Sequence, residues 1–460
     1  MEWLVINNGC SIMKYKIQKS LKHILLLGSI FACSTPSLLL AESLLQVYQD
    51  AKQNDAQLKI SEINFLATLE KKPQVLSGLK PRVDLGANAS YNLQYTSRTI
   101  RADDGAGFLN LGYNLSLNKS LINKQLDAQV GQVDSSINQA KATLEADRQN
   151  LIVRVAESYF QYLNAKENLA FRKAEKLAIG RQLNQVKAYF DAGRSAITDV
   201  IEAQARYDLA STQVEVASQQ IDVSRESIRV ITTRYYKSLN GLSDKIPLIA
   251  PKPNNIEAWA KSSIVNSKQI KAAQYAVEIA QKAVDIERAA KSPKLDLFAK
   301  HSGSSTFGED AFDQDKIDAS VGLQFSMPIY RGGNISSRIR EARHKLRQAR
   351  QQLELQKRLA TQQTRAAYLT IVSGLSQVKA LKQALNSTQA AANATQAGFE
   401  AGTRTAVDVL LSLRETFSAK RDYATARYDF LLNTLKLKQA TGTLSESDLV
   451  AISRLLTKKR

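Results

Sequence analysis

Two long stretches of this chain, residues 82–246 and 329–460, contain no proline. The eight prolines stand at 36, 73, 81, 247, 251, 253, 293 and 328. Proline breaks a helix interior because it lacks the backbone donor and clashes with the preceding turn. Gaps of this length predict long uninterrupted helices and disfavour an α/β enzyme with its many loops. From Ile122 to Tyr189 only Gly131 and Gly180 weaken the helical pattern. Apolar residues recur at Leu151, Val155, Tyr159, Tyr162, Ala165 and Leu169. They recur again at Tyr368, Ile371, Leu375, Val378, Leu381 and Leu385. Spacings of three and four place each set on one stripe, as in a coiled coil. A helix of about 68 residues is a rod of roughly 100 Å. Each rod is expected to turn back at Ala192-Gly193 or Ala401-Gly402, where glycine suits a helix end.

Scarce residues narrow the function. Cysteine occurs only as Cys10 and Cys33, and histidine only as His23, His301 and His344. Beyond residue 41 only two scattered histidines remain, too few for a His/Cys metal cluster, and Ser–His or Cys–His catalysis has almost no bases. No GxGxxG follows a strand and no GxxxxGK[ST] is present. The chain therefore reads as no enzyme, with no cofactor and no metal. The formal charge of +20 raises nucleic acid as a partner. The charge is spread along the chain, however, with only short clusters at Arg338-Ile339-Arg340, Arg343 to Arg350 and Lys458-Lys459-Arg460. No nucleic-acid partner is expected.

The amino terminus has the order of a secretory signal. Met13-Lys14-Tyr15-Lys16 to Lys22 is basic, Ile24 to Ala32 is apolar, and Ala41 precedes Glu42. Residues 1–41 are thus expected to be a signal peptide. A cut before Cys33 with lipidation of that cysteine is the rival reading, which Phe31 fits poorly. No later stretch has the ~18 apolar residues of a membrane helix. An exported chain of this kind can span a membrane only by strands.

Four segments alternate at period two. In 81–95, Val83, Leu85, Ala87, Ala89, Tyr91, Leu93 and Tyr95 share one face. In 109–118 the apolar set is Leu109, Leu111, Tyr113, Leu115 and Leu117. The segment 294–302 carries Leu295, Leu297 and Ala299, and 317–326 carries Ile317, Ala319, Val321, Leu323 and Phe325. The opposite faces bear small, mostly uncharged polar residues, as a water-filled lumen would. About 10 residues each is the length of a tilted membrane strand. The segments form two hairpins with polar tips expected at 96–107 and 303–316.

The hairpins belong to a duplication. Pro81 to Leu85 resembles Pro293 to Leu297, and Asn54 to Lys59 resembles Asn266 to Lys271, both shifted by 212. Ala192-Gly193-Arg194 with Asp199-Val200 matches Ala401-Gly402-Thr403 with Asp408-Val409, shifted by 209. The first repeat is 42–246, with a short helix, the hairpin 81–118 and a long helical hairpin. A linker at 247–253 follows. The second repeat is 254–445, with the hairpin 293–328, and a basic C-terminal segment covers 446–460. Four strands cannot close a barrel, and open edges do not survive in lipid. Several chains must pool their strands.

These features together resemble the TolC family of outer-membrane efflux and type I secretion channels. The segments that carry the resemblance are Tyr189-Phe190-Asp191-Ala192-Gly193 with Ala196-Ile197-Thr198-Asp199-Val200, and Ala401-Gly402-Thr403-Arg404-Thr405-Ala406-Val407-Asp408-Val409-Leu410. Phe325-Ser326-Met327-Pro328-Ile329-Tyr330-Arg331-Gly332-Gly333, Ala426-Arg427-Tyr428-Asp429-Phe430-Leu431-Leu432 and Gly442-Thr443-Leu444 extend it. The resemblance implies a mainly α fold with membrane β. Three chains build a 12-stranded barrel in outer-membrane lipid, continued by a long α-helical coiled-coil tunnel in the periplasm. Short helices and the linker form a belt around mid-tunnel. The implied function is a gated exit channel for drugs, toxins or polypeptides. Implied partners are two further copies, a periplasmic adaptor and an inner-membrane transporter of RND, ABC or MFS type.

The resemblance also implies site roles. Thr198 and Asp199 match positions that bond to an arginine on a neighbouring helix, and Arg404 matches that arginine. Phe399 replaces a tyrosine of the latch, so one hydroxyl bond is missing. Asp408 matches the first aspartate of a constriction ring, while Leu411 stands at the second. Gly193, Arg194, Gly402 and Thr403 match the adaptor-docking tips. A periplasmic coiled-coil adaptor or scaffold accounts for the helices but not for the strands or the duplication. A lipid-anchored heavy-metal efflux channel remains an alternative within the superfamily.

Overall fold

The structure, a computed structural model, describes residues 42–94, 106–243, 247–308 and 314–457. The signal-peptide reading and Cys33 fall outside the described residues, as does most of the expected tip at 96–107. The first half opens with short helices α1 (Leu44–Asn54), α2 (Ala56–Leu69) and α3 (Lys71–Ser77). Strands β1 (Arg82–Gln94) and β2 (Ala106–Ile122) follow, then helices α4 (Lys124–Asp191) and α5 (Ile197–Thr232). A two-residue strand β3 (Gly241–Leu242) lies in the connection to the second half. That half runs α6 (Ile256–Asn266), α7 (Lys268–Ala289), β4 (Lys294–Gly308), β5 (Gln314–Ser326), α8 (Asn334–Glu400) and α9 (Ala406–Ala440). It closes with α10 (Glu446–Ser453) and β6 (Leu456–Thr457).

The long helices are as expected: α4 has 68 residues and α8 has 67. Asn123 caps α4, its side chain accepting from the backbone of Gln125 and Leu126 at 3.2 and 3.3 Å. This satisfies donors that a helix start otherwise leaves open. α4 packs along α5 and α8 along α9, and α4 also touches α9. No described helix is long and apolar enough to cross a membrane.

The four long strands form one antiparallel sheet in the order β1-β2-β4-β5. They have 13, 17, 15 and 13 residues. The expected tip at 303–316 is corrected: pairing continues to Thr306↔Gln314, so β4 and β5 run through most of it. Gly303, Ser304, Ser305 and Thr306 show no apolar alternation, yet β2 supplies a backbone partner for each. Hydrogen-bond pairing, which side-chain pattern does not report, carries the strands on. Aromatic rings cover glycines across the ladder. A Cβ on Gly303 would stand 2.5 Å from the Tyr113 ring, and one on Gly322 would stand 2.8 Å from the Phe298 ring.

The apolar face of this sheet has no protein cover. Leu85 is 74% exposed and Val321 is 78% exposed. Strands β1 and β5 each leave an edge unpaired within the chain. Such a face and such edges require lipid and neighbouring strands.

The main core lies along the middle of α4, around Leu151, Val155, Tyr159 and Leu163, with Leu431 and Leu435 from α9. α1 brings Leu44, Val47 and Tyr48 onto it. The expected basic C-terminal segment is folded over its described part. Residues 446–457 form α10 and β6, bury Leu449, Ile452 and Leu456, and pair with β3. Lys458, Lys459 and Arg460 lie outside the described residues. The buried Tyr159 hydroxyl joins this waist to the chain on either side, donating to the carbonyls of Glu42 at 3.2 Å and Asn240 at 2.9 Å.

Candidate functional site: the helical tips and an arginine cleft

The two helical hairpins turn by the same device. Gly193, with φ +68°, donates to the Phe190 carbonyl at 2.9 Å, and Arg194 donates to the Tyr189 carbonyl at 2.8 Å. Gly402, with φ +78°, donates to the Phe399 carbonyl at 3.0 Å, and Thr403 donates to the Gly398 carbonyl at 2.8 Å. The left-handed backbone closes the helix end and needs glycine to avoid a Cβ clash. Gly193, Arg194, Gly402 and Thr403 are all exposed.

The helices that leave these turns are capped differently. Thr405 starts α9 with a full capping box. Its backbone and hydroxyl both donate to Asp408 Oδ2 at 2.9 Å, and its Oγ1 accepts from the Asp408 backbone at 3.2 Å. These bonds, with the nearby Arg404 charge, hold the Asp408 carboxyl below its ordinary range. Ala196 starts α5 and has no side-chain acceptor. Asp199 Oδ2 compensates by accepting from Ser195 Oγ at 2.7 Å and the Ala196 backbone at 3.4 Å.

Asp199 and Arg404 are not brought together within one chain. The Asp199 carboxylate serves the start of its own helix, and Thr198 is exposed. Among the described residues no carboxylate lies within 4.0 Å of the Arg404 guanidinium; its stem packs over Gly398. Phe399 is buried with Val186, Ala406 and Val409. Its ring stands 5.5 Å from that of Tyr189, which in turn lies under Arg194 at 4.8 Å. This contact joins the tips of the two hairpins and was not foreseen. Tyr189 and Phe399 stand four and three residues before their turn glycines, a placement that offered a signal.

One turn beyond Asp408, Leu411 is exposed at the mouth of a cleft between α4, α5 and α9. Arg172, Arg206, Arg414 and Arg421 line it, with Glu175 as its one acid. Glu175 Oε2 accepts from Arg172 Nη1 at 3.0 Å and from Arg421 Nη1 at 2.9 Å, and the carboxylate is almost wholly buried. Burial pulls the Arg421 guanidinium below its ordinary value, while the Glu175 charge opposes that shift. Arg206 pairs with Glu202 at 2.8 Å. Sequence reading missed this cleft, because its residues come from three helices and share a wall only after packing. Among the described residues no group of histidine, cysteine and carboxylate side chains is placed to hold a metal.

The model of the outer membrane efflux protein family matches residues 47–234 and 259–443, one match in each half. The outer membrane protein TolC of Escherichia coli strain K12 is 33% identical over 432 residues, covering 92% of this chain and 86% of the relative. The alkaline protease secretion protein AprF of Pseudomonas aeruginosa is 25% identical over 418 residues, covering 90% and 87%. Among solved structures, the Campylobacter jejuni CmeC outer membrane channel superposes with TM-score 0.74 at 16% identity, over 91% of this chain and 90% of that one. CusC superposes with TM-score 0.75 at 15% identity, over 88% and 92%. The open four-stranded sheet is one chain's share of the barrel in this fold, and the helical hairpins are its share of the tunnel. The chain belongs to the outer membrane efflux protein family and is an outer-membrane exit channel.

Proposed function

We propose that the chain works as a homotrimer, closed at its periplasmic tips, which receives drugs, toxins or polypeptides from an inner-membrane transporter of RND, ABC or MFS type. A periplasmic adaptor engages the exposed turns at Gly193, Arg194, Gly402 and Thr403. The single observation that carries the assembly is the uncovered sheet with two open edges, which only further copies can close. TolC and the secretion protein AprF, as relatives, support both efflux and type I secretion as settings.

The gate is a latch between copies. Arg404, unpaired with any carboxylate in its own chain among the described residues, reaches Thr198 and Asp199 of a neighbour. Asp199 keeps its bond to Ser195 while its second oxygen takes the guanidinium, a charge-assisted contact. Asp408 and Leu411 form the constriction, with Leu411 an apolar ring where a second acidic ring is absent. Phe399 anchors the tip through packing. Single-channel conductance of the purified protein in a planar bilayer tests this. Small wild-type conductance that rises in Arg404→Ala is expected. Equal conductance of the two pores overturns the latch, and no pore from folded protein overturns the channel.

A further inference from the structure

We propose that the arginine cleft between α4, α5 and α9 is an oxyanion site of the tunnel, and that it makes this conduit prefer solutes bearing carboxylate or phosphate groups. The inference rests on the channel reading, which turns Leu411 and the cleft toward the lumen. The cleft holds about 300 Å³. Four guanidinium groups face one carboxylate across it. That carboxylate is already shared: Glu175 takes both Arg172 and Arg421 on one oxygen, so it cannot neutralise the wall. Glu202 offsets Arg206 from outside the lining. Arg414 is exposed, and among the described residues no carboxylate lies within 4.0 Å of it.

The geometry favours anions for three reasons. A concave wall of one sign concentrates its field and raises the local concentration of the opposite ion. Guanidinium forks match the planar oxygens of carboxylate and phosphate. Rings of arginine are also a known way to make a pore prefer anions. Above the cleft the same three helices continue as a groove of about 570 Å³ that shares Arg421. That groove adds Gln161, Asn164, Asn168, Gln220 and Thr425 and no acid. An anion leaving the arginines thus meets uncharged donors rather than a repelling carboxylate. Leu411 adds no second acid at the mouth, so Asp408 of the constriction is the one carboxylate per chain there that the arginines must outweigh.

The full-length protein in a planar bilayer under a potassium chloride gradient tests the site. Wild type is expected to show a reversal potential on the chloride side. Arg414→Lys should keep it, Arg414→Gln should move it toward zero, and Arg414→Glu should carry it across. Arg414 is exposed and unpaired, so these variants leave the fold intact. Inorganic pyrophosphate and citrate are the probes. Block of wild type by both, lost in R414E, supports a general oxyanion site. Block by one alone assigns the site to phosphate or to carboxylate. A conducting pore whose reversal potential ignores position 414 and which neither probe blocks overturns the site while leaving the channel intact. Failure of folded protein to conduct overturns the channel reading first, and the site with it.

Discussion

Where a short helix ends and its successor begins, the first half of the chain places Asp55 and the second places Ser267. Both residues are buried, and both cap the following helix: Asp55 Oδ1 accepts from the Leu58 backbone at 2.7 Å, and Ser267 Oγ from that of Ile270 at 3.5 Å. Asp55 has an additional partner. Arg154 of α4 clasps its carboxylate with two bonds of 2.7 and 3.0 Å. The duplicated backbone therefore demands a cap at this joint but not a charge. The first half uses its charge to fasten the short helices to the long rod, and the second leaves that joint neutral. The tips show a second difference of the same kind, with a complete capping box at Thr405 and an incomplete one at Ala196.

The asymmetry breaks most sharply at Arg154. Replacing it by Met leaves the Asp55 carboxylate buried without its countercharge, which should cost about 3 kcal/mol. Ser267→Ala removes only a hydroxyl cap, about 1 kcal/mol. Thermal unfolding of the detergent-solubilised protein should rank them in that order; equal losses would mean that the ion pair adds nothing beyond the cap. At the tips, Thr405→Ala should lose about 1 kcal/mol, while Ala196→Ser should gain roughly 0.5 kcal/mol by completing the first box. Amide hydrogen exchange in the first turns of α9 and α5 reads both, and protection unchanged in Ala196→Ser would show that Ser195 already satisfies that end.

The smallest expected effect is on pH. The Asp408 carboxyl is held below its ordinary value. Its folded form therefore binds fewer protons than its unfolded form in acid. The stabilisation is fully present above the unfolded value and is lost as pH falls through the folded one. Exchange at the start of α9 should quicken below about pH 4. Asp408→Asn should remove that acid dependence; the same acid response in the variant would assign it to another group.

The strands were legible because one face of each had to be apolar, and Leu111, Leu115, Val321 and Phe325 announce it. Their full length was not, since the Gly303 to Thr306 stretch is held by backbone pairing with β2 rather than by its side chains. The turns at Gly193 and Gly402 were legible because a left-handed residue there needs glycine. The arginine cleft was not, because Arg172, Arg206 and Arg414 lie far apart in the chain and meet only through helix packing. Leu449, Ile452 and Leu456 could have been read as a buried helix and strand had the terminal lysines not dominated that segment.

The rings that lie over glycines in the sheet restrict which substitutions these strands can accept. Tyr113 fills the space above Gly303, and Phe298 the space above Gly322. A methyl group at either glycine would require the ring to shift, and removing the ring would expose bare backbone. Each pair thus ties two different strands together at one point, and a side chain at the glycine can be accommodated only if the ring on the other strand gives way.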